Sequence, residues 1–259
     1  MAELAVVREA AWPWLTALGV VVGALFGLFG VGGSSVATPA LAVLGVRGIV
    51  AVASPLPATF PAALAGAWAY LRRGEVDREI AGWSVAGGAP AAVVGALLSR
   101  VVGGKAVLVA SGVVLAIAGA RVLRHPSDPE AHADARRRRR PALVASSTAL
   151  VGLATGLLAN GGGFLLVPLY LVVFGLSMRP ASGTSLVVIS VLALPTVITH
   201  WALGHIDWGV TGAFAVGLVP GAVVGSRYAE RFEGPTLRRS FGWLLVAFAV
   251  YFVVRQLAG

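Results

Sequence analysis

The stretch Gly27-Leu28-Phe29-Gly30-Val31-Gly32-Gly33-Ser34-Ser35, followed by Pro39, lies inside an apolar run long enough to form a membrane helix. Glycine weakens a helix and adopts backbone conformations that other residues avoid. Residues 30–33 therefore predict that the helix unwinds at this point. Because an unsatisfied backbone group in hydrocarbon costs several kcal/mol, such a break requires protein or a cavity around it.

The same pattern returns as Gly156-Leu157-Leu158-Ala159-Asn160-Gly161-Gly162-Gly163, followed by Pro168. The first glycine, the glycine pair and the proline of the two stretches are all related by one constant offset in numbering, the offset between Gly27 and Gly156. Other matches keep that offset to within one position: Ala53-Ser54 with Ala181-Ser182, Gly74 with Gly204, Asp77 with Asp207, and Pro90 with Pro220. A register kept from end to end indicates an internal repeat. The sequence predicts a first transmembrane repeat at 1–123, a basic cytoplasmic linker at 124–141 and a second transmembrane repeat at 142–259.

The composition is that of an integral membrane protein, whose main surroundings are the lipid bilayer. Of the 259 residues, 58% are hydrophobic and 12% are charged, whereas soluble domains carry roughly 25% charged residues. The absence of cysteine excludes disulfides, thiolate catalysis and cysteine metal sites. The net charge of +9 does not indicate nucleic-acid binding, because the basic residues lie in loops, with a dense run at residues 136–140. Such a run is typical of a cytoplasmic topology signal near anionic lipid.

The apolar segments predict an all-α polytopic membrane protein with two homologous halves of about four helical segments each. The first segment of each half, at 13–45 and 142–175, is too long for one straight span and is broken or re-entrant. The proline residues at 55, 57 and 61 predict an irregular or kinked entry into the second segment. The remaining segments are expected at about 49–71, 81–99, 105–123, 181–203, 209–229 and 236–256.

The distribution of basic residues favours halves of opposite orientation. If each half crosses the membrane four times, the repeats are parallel and 12 of the 20 lysines and arginines lie inside. If each half crosses three times and adds a hairpin, the number inside rises to 15. The positive-inside rule therefore favours an inverted repeat with both termini outside.

These features resemble the TauE/SafE family of membrane transporters, often called sulfite exporters. The resemblance rests on the two glycine breaks with their prolines, on Gly183-Thr184-Ser185, and on the loops Arg72–Asp77 and Gly204–Asp207. It implies a permease of two related halves in a prokaryotic inner membrane, which moves sulfite, sulfonates or related small organic anions. The first half departs from the family with Gly32-Gly33-Ser34 in place of three glycines, and with Ser54-Pro55-Leu56 in place of Ser182-Gly183-Thr184. Substrate identity is therefore not carried over.

The sequence predicts an anion site made by backbone rather than by charged side chains. Every aspartate and glutamate falls in a terminus, a loop or a helix end, and no metal cluster, phosphate-binding loop or nucleophile–base set is present. An enzyme, a cofactor and a metal are thus not expected. The half-helix after each break exposes backbone N–H groups with a partial positive charge. The two half-helices are expected to face each other near the membrane midplane, and the predicted substrate-binding residues are Gly32, Gly33, Ser34, Ser35, Thr38, Ser54, Asn160, Gly161, Gly162, Gly163, Thr184 and Ser185.

Other polar and small residues have competing interpretations. Two rows of glycines spaced four apart, at 19, 23 and 27 and at 217, 221 and 225, are typical of helix packing. Serine and threonine hydroxyls in the predicted shell often bond back to their own helix instead. His200 is a candidate for proton coupling, although an interfacial histidine is the simpler interpretation.

The resulting hypothesis is a secondary transporter, an exporter of small anions, that works by alternating access. An anion channel that uses the same pathway is the first alternative, and a membrane scaffold or assembly factor is the second. The anion, the coupling ion, the direction of transport and any homo-oligomeric state are left open by the sequence.

Overall fold

The computed structural model describes residues 2–32, 37–38, 41, 49–98, 116–117, 119–124, 140–158 and 163–258. Within these ranges the chain is built from helices. They are α1 (Ala2–Phe29), α2 (Ile49–Ala53), α3 (Leu56–Arg72), α4 (Arg78–Leu98), α5 (Pro141–Leu158), α6 (Gly163–Val172), α7 (Met178–Ala202), α8 (Trp208–Tyr228), the 3-10 turn Ala229–Arg231 and α9 (Gly234–Ala258).

The first predicted interruption lies where glycine indicated it. α1 ends at Phe29, and the next three residues are not helical, as the glycines at 30 and 32 predict. The second predicted break lies outside the described residues, between the end of α5 at Leu158 and the start of α6 at Gly163. The proline-rich entry is irregular as well, because a turn at Ser54 and Pro55 divides α2 from α3. The predicted segment at 105–123 lies mostly outside the described residues.

The two spaced glycine rows pack against each other, which confirms their interpretation as packing contacts. A Cβ added at Gly19 would meet the Cα of Gly217, and one at Gly23 would meet the Cα of Gly221. α4 and α5 form a second contact of this kind, in which Gly88 faces Gly152. Small residues let helix backbones approach closely in a membrane, so these two pairs of helices are the closest-packed in the bundle.

The contacts also give the relative directions of the helices. α1 is parallel to α8 because Gly19, Gly23 and Gly27 meet successive turns of α8 in order, and α4 is parallel to α5 for the same reason. α7 is antiparallel to α3, since its beginning at Gly183 lies against Tyr70 near the end of α3. It is parallel to α4, since both begin at the same level. Thus α1, α3 and α8 run one way, and α4, α5 and α7 run the other.

Matching turns end α3 and α7. In the first, Gly74 has φ +70° and Glu75 N–H donates to Tyr70 O at 2.9 Å; in the second, Gly204 has φ +69° and His205 N–H donates to His200 O at 3.1 Å. In each turn the glycine N–H also donates to the carbonyl three residues earlier, which completes a Schellman cap. A positive φ is accessible to glycine without strain, so the sequence match between these glycines reflects a shared backbone requirement.

Each turn is tied to the opposite repeat. Asp77 N–H donates to Thr184 Oγ1 at 3.0 Å, and Asp207 N–H donates to Ser54 Oγ at 3.0 Å. These reciprocal bonds pair Ser54 with Thr184, at the same offset in numbering that relates Asp77 to Asp207. The match of Ser54 with Ser182 is therefore wrong by two positions. Ser182 has the same residue type as Ser54, but the residue that makes the equivalent hydrogen bond is Thr184.

The outer surface of the bundle suits lipid. Within the described residues, five helices are long and apolar enough to cross a membrane. Many large apolar side chains face outward on them, including Val21, Leu97, Ile198 and Val216. Exposed tryptophans lie near the ends of these spans, at Trp14, Trp68, Trp201 and Trp208, as expected for anchors in the interfacial region.

Candidate functional site

The first break is held between the two repeats. Tyr70 Oη donates to the carbonyls of Gly27 and Leu28, in the last turn of α1, at 3.0 and 3.1 Å. Ser182 Oγ donates to Phe29 O at 3.0 Å, and Ser185 Oγ donates to Gly30 O at 2.9 Å. The carbonyls freed at the end of α1 are thus bonded by buried hydroxyls from α3 and α7, which is the protein environment that a break in a membrane requires.

The helix after the second predicted break lies inside the bundle. α6 has ten residues, roughly half the length needed to cross a bilayer, and Phe164, Leu166, Val167 and Tyr170 on it are buried. α6 ends shortly before α7 begins, so it runs toward the level at which α7 and α4 both start. Tyr170 Oη donates to Ser84 Oγ at 3.0 Å, six residues into α4, so at about 1.5 Å per residue the start of α6 lies roughly 20 Å below the start of α4. Gly163 therefore lies deep in the bundle, and its role as a ligand stays a prediction.

The predicted site residues are described only in part. Gly33, Ser34, Ser35, Asn160, Gly161 and Gly162 lie outside the described residues. Gly32 is buried directly after α1, and Thr38 is half-buried and helical. Ala37 and Leu41, which flank Thr38, are fully buried, so the described positions after the first break also lie inside the protein.

Three of the predicted hydroxyl ligands, those of Ser54, Thr184 and Ser185, do not meet in one shell. Thr184 and Ser185 lie beside the first break, whereas Ser54 lies at the other end of α3. Ser54 precedes Tyr70, which marks the end of α3 where Thr184 and Ser185 lie, by 16 positions. At about 1.5 Å per residue, Ser54 is therefore roughly 20 Å from these two residues, which is far more than a small anion spans. Each of the three hydroxyls is buried and already bonded to a turn or to the first break. They tie the repeats together, and their role as substrate ligands stays a prediction.

The buried polar side chains of the described residues are neutral. They are hydroxyl groups and one histidine, and no Asp, Glu, Lys or Arg is among them. Several of the hydroxyls bond back to their own helix, as Thr59 does to Pro55 O and Thr155 to Val151 O. The described interior thus holds no fixed negative charge to oppose an anion and no carboxylate to bind a cation.

One end of the bundle carries a network of ion pairs, and we call it the arginine end (Arg73, Glu75, Arg179 and Glu230). Arg73 Nε lies 2.7 Å from Glu75 Oε2, and its NH1 lies 2.7 Å from Glu230 Oε1. Arg179 NH1 lies 3.7 Å from Glu75 Oε1, and its NH2 donates to the carbonyls of Glu230 and Phe232. The network joins the turn after α3 to the beginning of α7 and the end of α8, so it links both repeats.

The opposite end is the histidine end (Ser54, His200, His205 and Asp207). Nδ1 of His200 lies 3.2 Å from Nδ1 of His205. The Asp207 carboxylate caps α8 by accepting from the N–H groups of Gly209 and Val210. His200 was a sequence candidate, but His205 was not. The sequence match between the halves could have drawn attention to His205. The offset that matches Asp207 with Asp77 also matches His200 with Tyr70 and His205 with Glu75.

Comparisons with known proteins agree with this architecture. The chain matches the family described as sulfite exporter TauE/SafE over residues 15–252. It is 30% identical over 245 residues to a "Probable membrane transporter protein" of Xylella fastidiosa (strain 9a5c), covering 93% of this chain and 94% of that protein. It is 25% identical to the "Probable membrane transporter protein YjnA" of Bacillus subtilis (strain 168), covering 83% of this chain and 89% of that protein. No solved structure matches the chain.

The family match extends across both glycine breaks, both capped turns and the helices that hold them. The spans found within the described residues and the bacterial relatives support a multi-pass protein of a prokaryotic cell membrane. The chain therefore belongs to the sulfite exporter TauE/SafE family and is a membrane transporter.

Proposed function

We propose that this transporter is a secondary carrier that exports small anions such as sulfite, sulfonates or related organic acids, rather than an enzyme. The observation that carries the proposal is the neutral interior of the described bundle, which contains hydroxyls and one histidine but no buried carboxylate. Cation and proton pathways in membranes commonly use buried acidic residues. An interior of this kind favours an anion that is bound by N–H and O–H donors.

The anion binds at the paired glycine breaks in this proposal. The N-terminus of α6 lies roughly 20 Å below the start of α4, where the backbone N–H groups of its first turn and the helix dipole attract negative charge. Glycines at 161–163 allow the backbone to approach the ligand closely. The matching segment after Gly32 supplies the second set of donors, and Asn160 adds an amide to them.

The transport cycle is alternating access between halves that form an inverted repeat. Support comes from the helix directions, since α1, α3 and α8 run opposite to α5, α7 and α4. Inverted repeats allow one structure to open toward either side by exchanging the conformations of its halves. The arginine network and the histidine pair lie at opposite ends of the bundle, and the network joins segments of both halves.

Counterflow in proteoliposomes tests the carrier. Vesicles loaded with unlabelled sulfite, methanesulfonate or acetate are expected to accumulate the same labelled anion transiently and with saturation, because a carrier exchanges substrate across one alternating site. Thermal stabilisation of the purified protein by that anion checks binding independently, since a ligand that binds the folded state stabilises it. Conductance far above carrier turnover would instead indicate a channel, and absence of binding and flux for every anion would refute the proposal.

Membrane orientation provides a second test. The helix directions place Arg72, Arg73, Arg78, Arg140, Arg179, Arg227 and Arg231 at the arginine end, so the positive-inside rule assigns that end to the cytoplasm. α9 begins at the same end, because Phe241 packs on Phe29 with ring centroids 5.8 Å apart. A phosphatase reporter fused after Gly259 is therefore expected to be active, as it is outside the cytoplasm, and one inserted at residues 124–141 inactive. A cytoplasmic C-terminus would contradict the inverted repeat.

A further inference from the structure

The histidine end contains a pair of titratable side chains that neither the helix packing nor the anion site accounts for. His200 exposes only 2% of its surface, and its Nε2 has no hydrogen-bond partner among the described residues. His205 is partly exposed in the turn that follows α7. The ring centroids are 5.4 Å apart, and the two Nδ1 atoms are 3.2 Å apart. The pair thus links the protein interior to the solvent at this end.

The backbone holds the two rings together. The cap at the end of α7 bonds His205 N–H to His200 O and requires the positive φ of Gly204. Close approach of the two side chains therefore follows from the fold of the turn, and it does not depend on a flexible loop.

The pair has no counterpart at the arginine end. His200 matches Tyr70 in the sequence, and His205 matches Glu75. Tyr70 bonds the last turn of α1 directly before the first break, whereas the Nε2 of His200 has no partner among the described residues. Two imidazoles therefore stand at the histidine end where a phenol and a carboxylate stand at the other.

The geometry suits the binding of one proton. In the neutral pair, one Nδ1–H donates to the other Nδ1, and the donor ring keeps a free lone pair on its Nε2. A proton added at that Nε2 gives an imidazolium and converts the Nδ1–H···Nδ1 bond into a charge-assisted one. A second proton would have to bind the accepting Nδ1, which would break the bond and place two cations in contact.

Asp207 is the titratable side chain described next to the pair, and its carboxylate is engaged in capping α8. The first turns of α1, with Glu3, Arg8 and Glu9, and the last turns of α9, with Arg255, lie at the same end of the bundle. The facing entry to α3 contributes Ala53 and Leu56, which pack with Val197 and Ile206, together with the hydroxyl of Ser54. Among the described side chains, the pair is therefore the group at this end that is best placed to gain a positive charge.

We propose that His200 and His205 form a dyad that binds one proton and couples it to the transported anion. The inference rests on the proposed anion site and adds the identity of the coupling ion. The positive charge of the dyad attracts the anion, and by thermodynamic linkage the bound anion raises the proton affinity of the dyad to the same extent. Anion and proton then load together.

Proton uptake on anion binding tests the dyad. Calorimetry of the purified protein with sulfate or methanesulfonate, neither of which titrates near neutral pH, is performed in two buffers of different ionisation enthalpy. The wild type is expected to take up a proton as the anion binds, and its affinity is expected to rise about tenfold between about pH 8 and about pH 6. Binding without proton uptake would overturn the dyad and leave the proposed function intact. Absence of binding by these anions and by sulfite and acetate would refute the anion site itself.

Variants identify the site of proton uptake. H200Q and H205Q each remove one member of the dyad and are expected to abolish proton uptake while retaining anion counterflow. The chain has four histidines, and the matched control H125Q/H132Q replaces the other two and is expected to behave as the wild type. Uptake that persists in both dyad variants would overturn the assignment. The wild-type measurement requires no variant, so a folding defect in the variants does not remove the test.

Discussion

Gly221→Leu is expected to abolish stable folding of the bundle. A Cβ at this position would lie 2.5 Å from Val20 O and 3.1 Å from the Cα of Gly23, so even the first carbon of a side chain forces α8 away from α1. Overpacking by a methylene or two costs about 1–3 kcal/mol, and a leucine pressed against backbone exceeds that range. We expect the unfolding temperature to fall by about 10 °C or more, with a large loss of monodisperse protein in detergent.

Gly212→Leu is the matched control on the same helix. A Cβ at Gly212 meets nothing within 4 Å, and the residue is exposed, so the same substitution adds an apolar side chain to the outer surface. We expect its unfolding temperature to stay close to that of the wild type. Equal melting of Gly221→Leu and Gly212→Leu would contradict the close approach of α1 and α8.

Gly162→Leu is expected to remove anion transport while the protein remains folded. The proposed ligands at this break are backbone N–H groups, and a leucine there prevents the close approach that glycine permits. Loss of one hydrogen bond to a charged group costs about 1.5–3 kcal/mol, which corresponds to roughly a tenfold to hundredfold loss of affinity. Gly33→Leu is expected to act in the same way through the first break. Counterflow and anion-induced thermal stabilisation measure both effects, with Gly212→Leu as the control for added bulk.

Asn160→Asp separates charge from bulk at the same break. The carboxylate nearly preserves the shape of the amide but places a negative charge next to the proposed anion, so we expect binding to weaken by roughly tenfold or more. Full transport by folded Gly162→Leu and Asn160→Asp together would exclude the breaks as the substrate site. It would favour the scaffold alternative only if anion flux were also dispensable for the function of the protein in cells.

Much of the architecture follows from local properties of the chain. The length of the apolar runs, the glycines at 30 and 32 and the proline at 55 are each sufficient to predict a span or an interruption, because these residues act on their own stretch of backbone. The register of the repeat was also readable, apart from the two-position error at Ser54. That error arose because similarity of residue type cannot distinguish Ser182 from Thr184 as the partner of a turn far away in the chain.

The composition of the candidate site was less predictable. Ser54, Thr184 and Ser185 were predicted to bind the same anion. The structure separates Ser54 from the other two, because Ser54 precedes α3 and bonds the turn before α8, whereas Thr184 and Ser185 lie at the start of α7, beside the end of α3. Tyr70 and His205 were not among the predicted site residues, because their roles depend on partners in α1 and at the end of α7.

The sequence by itself thus determined that this protein is a helical membrane transporter with a glycine break after its first helix, because apolar length and glycine content act locally on the backbone. Only the tertiary structure decided which hydroxyls seal the first break and that one end carries arginine–glutamate pairs and the other a pair of histidines. Those features depend on contacts between residues far apart in the chain. Such contacts are set by the close packing of α1 on α8 and of α4 on α5.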